Sequence, residues 1–395
     1  MITVDDALAR VLALAPGPEI ETVGLDEAAG RVLMQDAISR MTQPPFDAAA
    51  MDGYALRQAE IGLPLKVIGE AGAGHPFNGE TPEGTAIRIF TGASVPQGYD
   101  RVVMQENVAR EGETLKITDA SGGPHIRLRG GDFAEGDRVI APRLLSSADV
   151  GLLAAMNVPH IAVARRPRVA VLATGDELVR PGDTPREGQI ISSNDLAVAA
   201  MARKAGAEVS LLPIARDTRE SLEAAFAAAS QADLIVTIGG ASVGDHDLVG
   251  SVTEAMGMER SFYRIAMRPG KPLMAGRLGQ SAVLGLPGNP VSAIICATLF
   301  MLPLIGALQG LPRPTMIRRA RLARELPPEG PRQHYLRAAL IRHDDMPSID
   351  PFEDQDSARL SLLSRADALL VRPAQQGALQ AGSIVDYIAL SDTCH

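Results

Sequence analysis

The chain has 395 residues, of which 46% are hydrophobic, 22% charged and only 3% aromatic, with 38 glycines and 28 prolines. At ~150 residues per domain this predicts two to four domains, each with its own core, and excludes disorder, collagen-like repeats and a coiled coil as descriptions of the whole. Lysine plus arginine total 38 against 47 acidic residues, a net charge of -9 that argues against a general nucleic-acid coat but leaves room for a local basic pocket.

The N-terminal MITVDDALARVL reads as a helix capped by Thr3, with Asp6 three residues on and Val4, Ala7, Leu8, Val11 and Leu12 on one face. It lacks the basic n-region and apolar core of a signal peptide, so a cytoplasmic location is expected. An extended GRVLMQDAIS comes next. Residues 48–136 are short β-like runs (AIRIF, RVVMQE, TLKIT, HIRLR) between Gly and Pro turns, a β-rich insert. Residues 137–166 return to an extended RVIAP, a helix capped by Ser146 or Ser147, and HIAVAR. Residues 1–47 and 137–166 are therefore expected to form one discontinuous linker domain around the insert.

From residue 167 to 310 the rhythm changes to alternating strands and helices: RVAVLATG, LAVAAMARKAG, EVSLLPIARD, SLEAAFAAASQ, DLIVTIGG and SAVLGLPG. That pattern predicts a doubly wound, mainly parallel α/β domain, with ligands at the carboxyl ends of its strands. The uncharged stretch Val291 to Leu308 is slightly short for a membrane span, carries Pro303 and Gly306, and follows a tight turn, so it is read as a buried helix. Residues 311–395 (MIRRARLA, HYLRAALIRH, ARLSLLSRADALLVRP, SIVDYIAL) predict a C-terminal β domain, barrel-like, whose first part is locally basic through Arg313, Arg318, Arg319, Arg321, Arg324, Arg332, Arg337 and Arg342. The fold class is thus multidomain α/β.

The motifs cluster at strand ends. In Gly239-Gly240-Ala241-Ser242-Val243-Gly244-Asp245-His246-Asp247 the glycines and serine let backbone amides approach an anion; a plain tight connection is the other reading. Asp245 and Asp247 would repel a bare phosphate and make sense mainly beside a divalent cation. Asp176 and Glu177 in VLATGDEL suit either Mg²⁺ or a solvated turn, and Ile191-Ser192-Ser193-Asn194-Asp195 opens a helix with N-cap residues. Met267-Arg268-Pro269-Gly270-Lys271-Pro272 is a stiff loop holding two cations that suit an oxyanion, or else a surface turn. In Leu286-Pro287-Gly288-Asn289-Pro290-Val291-Ser292, Asn289 would be an N-cap and Pro290 the first helical residue, with free first-turn amides and the Ser292 hydroxyl as a neutral cradle. Ala50-Met51-Asp52-Gly53-Tyr54-Ala55, Phe90-Thr91-Gly92-Ala93 and Arg129-Gly130-Gly131-Asp132 read individually as turns. Cys296 and Cys394 form no CxxC pair, and the histidines form no ligand pattern, so a disulfide scaffold and a structural zinc site drop out.

Taken in order, AMDGYA, FTGA, RGGD, TGDEL, GGASVGDHD, MRPGKP and LPGNPVS resemble the molybdopterin molybdenumtransferases, the MoeA and gephyrin E-domain family. The resemblance implies a homodimer of four-domain subunits and a reaction that cleaves adenylylated molybdopterin in the presence of molybdate, releases AMP and leaves molybdenum on the pterin dithiolene. It implies Glu177 and Asp247 as Mg²⁺ ligands. Gly239, Gly240, Ser242, Gly244 and Asp245 would cradle the pterin phosphate. Arg268, Lys271 and Ser292 would take molybdate beside the turn Pro287, Gly288, Asn289, Pro290, joined by Arg332 or Arg337 and by Ser357. Asp52, Thr91 and Asp132 would reach the cleft from the partner subunit, and Asp217 would order the nucleotide side. Many members carry Lys where this chain has Arg268. Further partners implied are a molybdopterin adenylyltransferase and cofactor-handover proteins, with no nucleic acid and no membrane. Two rival readings keep the site: a non-catalytic molybdopterin-binding scaffold, or the preceding adenylyl transfer from ATP.

Overall fold

A computed structural model describes residues 1–240, 248–313 and 316–390. The first helix, Val4–Leu12, starts where the Thr3 hydroxyl accepts the Asp6 N–H at 3.1 Å. Its apolar face (Val4, Ala7, Leu8, Val11) is buried in the core of the α/β domain, with Leu299 and Leu304 of the long apolar helix, rather than among the strands next to it in sequence. Ile2 is pinned to the same domain by bridging to Ile265. The helix and the strands that follow it thus bury their apolar side chains in different clusters.

Beyond the helix the chain enters a four-stranded antiparallel sheet in the order Ile20–Gly24, His160–Ala164, Val32–Leu33, Arg143–Leu144. Strands from both sides of the insert share this sheet and a core of Val23, Leu33, Phe133, Leu153, Ile161 and Val163. The helix Ser147–Ala155 closes it. Of the two candidate serines Ser146 is the cap, because its side chain and that of Asp149 each satisfy the other's backbone N–H.

The insert forms a six-stranded sheet, in the order Arg101–Met104, Gly53–Leu56, Thr85–Ile89, Leu65–Ala71, Thr114–Ile117, Val108–Glu111. Both faces are covered: Ala55, Ile87 and Val102 sit in one cluster, while Tyr54, Leu56, Ala86 and Val103 sit in another, as period-two alternation requires.

The α/β domain has a six-stranded sheet in the order Glu208–Leu211, Arg168–Ala173, Leu234–Ile238, Ser281–Leu286, Met274–Leu278, Glu259–Phe262. The first four are parallel, Met274–Leu278 runs antiparallel to them, and Glu259–Phe262 pairs antiparallel with that strand in turn. The chain runs outward from Arg168–Ala173 to the edge strand, then returns to its other side at Leu234–Ile238. The switch point therefore lies between these two strands, where a crevice opens at their carboxyl ends.

The apolar stretch is one helical run, Pro290–Leu308, 83% buried. By length and composition it is the one described helix that could cross a membrane, yet it packs against the sheet through Ile295, Phe300, Leu304 and Ile305. Its turns widen to π geometry over Ala297–Met301. Pro303 accounts for this: it brings no N–H, and its ring needs the space of the carbonyl four residues back.

Five strands of the C-terminal region close into a barrel in the order Gln333–Ile341, Ser348–Pro351, Ile317–Leu322, Ile384–Ala389, Ala368–Arg372 and back to the first. A sixth, Met267–Arg268, is lent by the α/β domain and pairs parallel with Gln333 and His334. One expectation fails locally: LSLL, read as part of a strand, forms the short helix Leu360–Leu363, with Leu363 buried in the α/β core. Two adjacent leucines on a single turn mimic strand composition.

Candidate active site

Three strand ends meet at the switch point. After Arg168–Ala173 the Thr174 N–H donates to the Ile238 carbonyl at 3.0 Å, and the Gly239 N–H donates to the Leu286 carbonyl at 3.2 Å, stitching the TGDEL, GG and LPGN turns side by side. Glycine is required here. A Cβ on Gly239 would stand 2.6 Å from the Thr174 carbonyl oxygen, and one on Gly240 would stand 2.4 Å from Val249; both residues have positive φ. A Cβ on Gly175 would strike the Glu177 carboxylate at 2.4 Å, so that carboxylate folds back over the bare Gly175 backbone. Glu177 is exposed: its carbonyl accepts the Ile190 N–H at 2.8 Å, while its carboxylate makes no hydrogen bond or ion pair among the described residues. Its neighbour Asp176 is spent differently, accepting the Asp217 N–H through Oδ1 at 3.3 Å while its carbonyl takes Arg216 Nη1 at 3.1 Å. Asp217 is thereby set beside the turn.

The cationic loop reaches the same edge. Gly270, at φ +98°, packs on Cys296 so closely that a Cβ would lie 2.4 Å from its sulfur. Ser292 and Cys296 are one helical turn apart on the same face, so the loop carrying Arg268 and Lys271 is held along the face that bears Ser292. Arg268 is exposed, Lys271 half-buried, and neither forms an ion pair among the described residues.

Asn289 is the N-cap residue and Pro290 the first of the helix, but the Asn289 side chain does not cap. It donates to Ser357 Oγ at 3.1 Å, and the Val291 N–H donates to the Ser357 carbonyl at 3.1 Å. The cradle of first-turn amides is therefore narrower than expected. Pro290 has no N–H, that of Val291 is taken, and Ser292, 4% exposed, supplies what remains. Arg332 is half-buried beside the seam with Met267. Arg337 is 1% exposed and donates to the Arg359 carbonyl at 3.0 Å, the Asp354 carbonyl at 3.1 Å and Gln355 Oε1. Its donors are consumed inside the protein, holding the loop that carries Ser357.

In the insert, Asp52 Oδ1 accepts the Thr91 N–H at 2.8 Å and the Thr91 hydroxyl at 2.7 Å, joining two motifs 39 residues apart. These bonds, the backbone one first, and the positive charge of Arg88 hold the Asp52 carboxyl below its ordinary range. Asp132 lies on an exposed turn whose N–H bonds the Gln43 carbonyl at 3.0 Å. Among the described residues, none of the three bonds the switch-point cluster. Ser242, Gly244, Asp245 and Asp247 lie outside the described residues.

Two side chains at this edge were not among the expected site residues. Thr174, 2% exposed, has a hydroxyl with no hydrogen-bond partner among the described residues and points at the Gly239–Gly240 backbone. Asn194 donates Nδ2–H to the Gly288 carbonyl at 2.6 Å. The N-cap pattern around Asn194 was visible, but its reach to Gly288 depends on the strand order.

Family models match almost the whole chain: MoeA N-terminal region (domain I and II) over residues 2–157, probable molybdopterin binding domain over 170–307, and MoeA C-terminal region (domain IV) over 319–390. A molybdopterin molybdenumtransferase of Haemophilus influenzae is 40% identical, with 78% of each chain covered, and one of Nostoc is 35% identical over 93% of this chain and 88% of the relative. The chain belongs to the MoeA family. A crystal structure of the molybdopterin biosynthesis MoeA protein from Pyrococcus horikosii superposes with a TM-score of 0.81 at 30% identity, covering 98% of this chain and 99% of that one. Within this MoeA chain, the probable molybdopterin binding domain is the one that holds the switch point, the glycine pair and the cationic loop.

Proposed function

We propose that this protein inserts molybdenum into molybdopterin, cleaving adenylylated molybdopterin in the presence of molybdate and releasing AMP, in the cytoplasm and as a homodimer. The observation that carries the reading is the convergence, at one switch point, of the unpaired Glu177 carboxylate, the Gly239–Gly240 backbone, and the Arg268 and Lys271 loop packed along the Ser292 face. Gly239 and Gly240 admit a phosphate close to the backbone. Lys271, Arg268 and Ser292 suit a tetrahedral oxyanion, where the planar guanidinium of Arg268 offers two parallel donors in place of an ammonium's point charge.

The donor set also fits Mg²⁺. This ion keeps several waters and takes one or two carboxylates plus phosphate oxygens, so it needs no cluster of three protein ligands, and the described residues contain none. The Glu177 carboxylate, folded over Gly175 and unpaired among the described residues, would hold it together with Asp247; when bound it supplies charge neutralisation at the phosphoanhydride. Asp217 and Asp176 order the neighbouring turn. Asp52, Thr91 and Asp132, which stand apart from this cluster within one chain, would complete the cleft from a second subunit.

The test is AMP release by the purified protein from adenylylated molybdopterin with Mg²⁺, with and without molybdate, while molybdenum on the pterin is measured in parallel. Molybdate-dependent release with metal on the pterin is expected; binding without turnover would leave a scaffold, and ATP consumption without molybdate would indicate adenylyl transfer. Glu177→Ala should lower AMP release at least about a hundredfold while the melting temperature stays within about 2 °C, since an exposed carboxylate is removed and no core contact is lost. Normal turnover in that variant would overturn the metal assignment.

A further inference from the structure

The Gly288–Asn289 peptide is gripped from two sides. On one, Asn194 Nδ2 donates to the Gly288 carbonyl at 2.6 Å. On the other, the Asn289 side chain bonds Ser357 Oγ at 3.1 Å. The base of Asn194 is itself fixed, because it is the first residue of the helix Asn194–Lys204 and the next residue, Asp195, is fully buried. Asp195 accepts the Ser192 hydroxyl through Oδ1 at 2.8 Å and pairs with Arg180 through Oδ2. Arg180 in turn donates to the Leu212 carbonyl at 2.6 Å, tying this corner to the end of the edge strand.

The C=O and N–H of a trans peptide unit point in opposite directions. Holding the Gly288 oxygen on Asn194 therefore fixes the direction of the Asn289 N–H and the angle at which the chain enters the helical run Pro290–Leu308. That angle sets where Ser292 stands. The same peptide abuts the glycine pair, since a Cβ on Gly288 would lie 3.7 Å from Gly239 Cα.

We infer that Asn194 is a positioning residue for the oxyanion side of the active site, acting through the Gly288–Asn289 peptide to place Ser292 against the Arg268 and Lys271 loop. The inference rests on the proposed reading of that side as the molybdate pocket. A carboxylate at this position, isosteric with the amide, would face the Gly288 carbonyl without a proton to share, whereas its protonated form donates as the amide does.

The experiment titrates molybdate against AMP release for the wild type, Asn194→Ala, Asn194→Asp and Lys271→Ala, with molybdopterin binding measured separately by its fluorescence. Asn194→Ala is expected to raise the molybdate KM about tenfold with little change in pterin affinity, the size of effect that a displaced reacting group produces. The deficit of Asn194→Asp relative to wild type should shrink as pH is lowered from about 8 to about 5.5, following carboxyl protonation. A purely structural loss would not follow that titration. Wild-type molybdate KM and kcat in both Asn194 variants, or a deficit in Asn194→Asp that ignores pH, overturns the inference. If Lys271→Ala still raises the molybdate KM in that case, the pocket stands and only the positioning role falls. If Lys271→Ala is also unaffected, the pocket falls with it.

Discussion

Asp52 is the carboxylate whose electrostatics are set most directly by its bonds. Two donors from Thr91 favour its anion, so its carboxyl titrates below the ordinary value of 3.8. A lowered folded pKa means that the stabilisation is present above the unfolded value and is lost as pH falls through the folded one. Thr91→Val removes the hydroxyl donor and leaves the N–H, so the Asp52 pKa should rise part of the way back toward 3.8, read by carboxyl carbon chemical shift against pH. An unmoved titration would mean that the hydroxyl bond is absent in solution. The sequence displayed both motifs but not their union, which needs Gly53–Leu56 and Thr85–Ile89 to pair as neighbouring strands. The same limit explains Arg337. In a run of eight arginines over Leu311 to His343, nothing in composition separates the 1% exposed guanidinium that binds carbonyls from the half-buried Arg332.

At the level of elements, the features legible in the sequence are those that local chemistry decides. The Thr3 and Ser146 caps, the continuous apolar strands of the doubly wound sheet and the Asn289-Pro290 helix start all arise from patterns within a few residues. The π turn over Ala297–Met301 and the helix Leu360–Leu363 did not, since one depends on how a proline is accommodated by its core and the other on which side of a leucine pair is buried. Contact between the MRPGKP loop and the apolar helix is likewise a matter of tertiary packing, and it gives a clear test. Gly270→Ala places a methyl 2.4 Å from Cys296 Sγ at a φ of +98°, so it should destabilise by about 2–3 kcal/mol in denaturant melts, part steric and part backbone strain. Adding Cys296→Ala frees the space that the methyl needs. The double variant should then be less destabilised than the sum of the two single changes, whereas simple additivity would show that loop and helix do not touch there.

Across the whole molecule, the multidomain architecture was legible because each domain has its own texture, but the seams between domains were not, because they join residues far apart in sequence. The seam between the α/β domain and the barrel is the parallel pairing of Met267 and Arg268 with Gln333 and His334, and it brings a titratable group into the joint. His334 is 6% exposed, with Nδ1 3.0 Å from Glu329 Oε2 and with Arg268 and Arg372 also facing it. Burial pushes its pKa below the ordinary 6.5, Glu329 opposes that shift, and the two arginines add to it. With a lowered pKa the native state binds fewer protons than the unfolded chain, so the neutral imidazole's contribution is complete above pH 6.5 and is lost as pH falls from there toward the folded value. The urea midpoint of the wild type should therefore drop between about pH 7.5 and about pH 5.5. His334→Gln keeps a polar side chain at the seam but cannot take up the proton, so its midpoint should drop distinctly less over the same interval. Carboxylates other than Glu329, whose carboxyl His334 helps to hold below its ordinary range, titrate alike in both proteins and cancel in the comparison. Equal drops would place the acid sensitivity elsewhere and leave the imidazole as a pH-indifferent partner of Glu329.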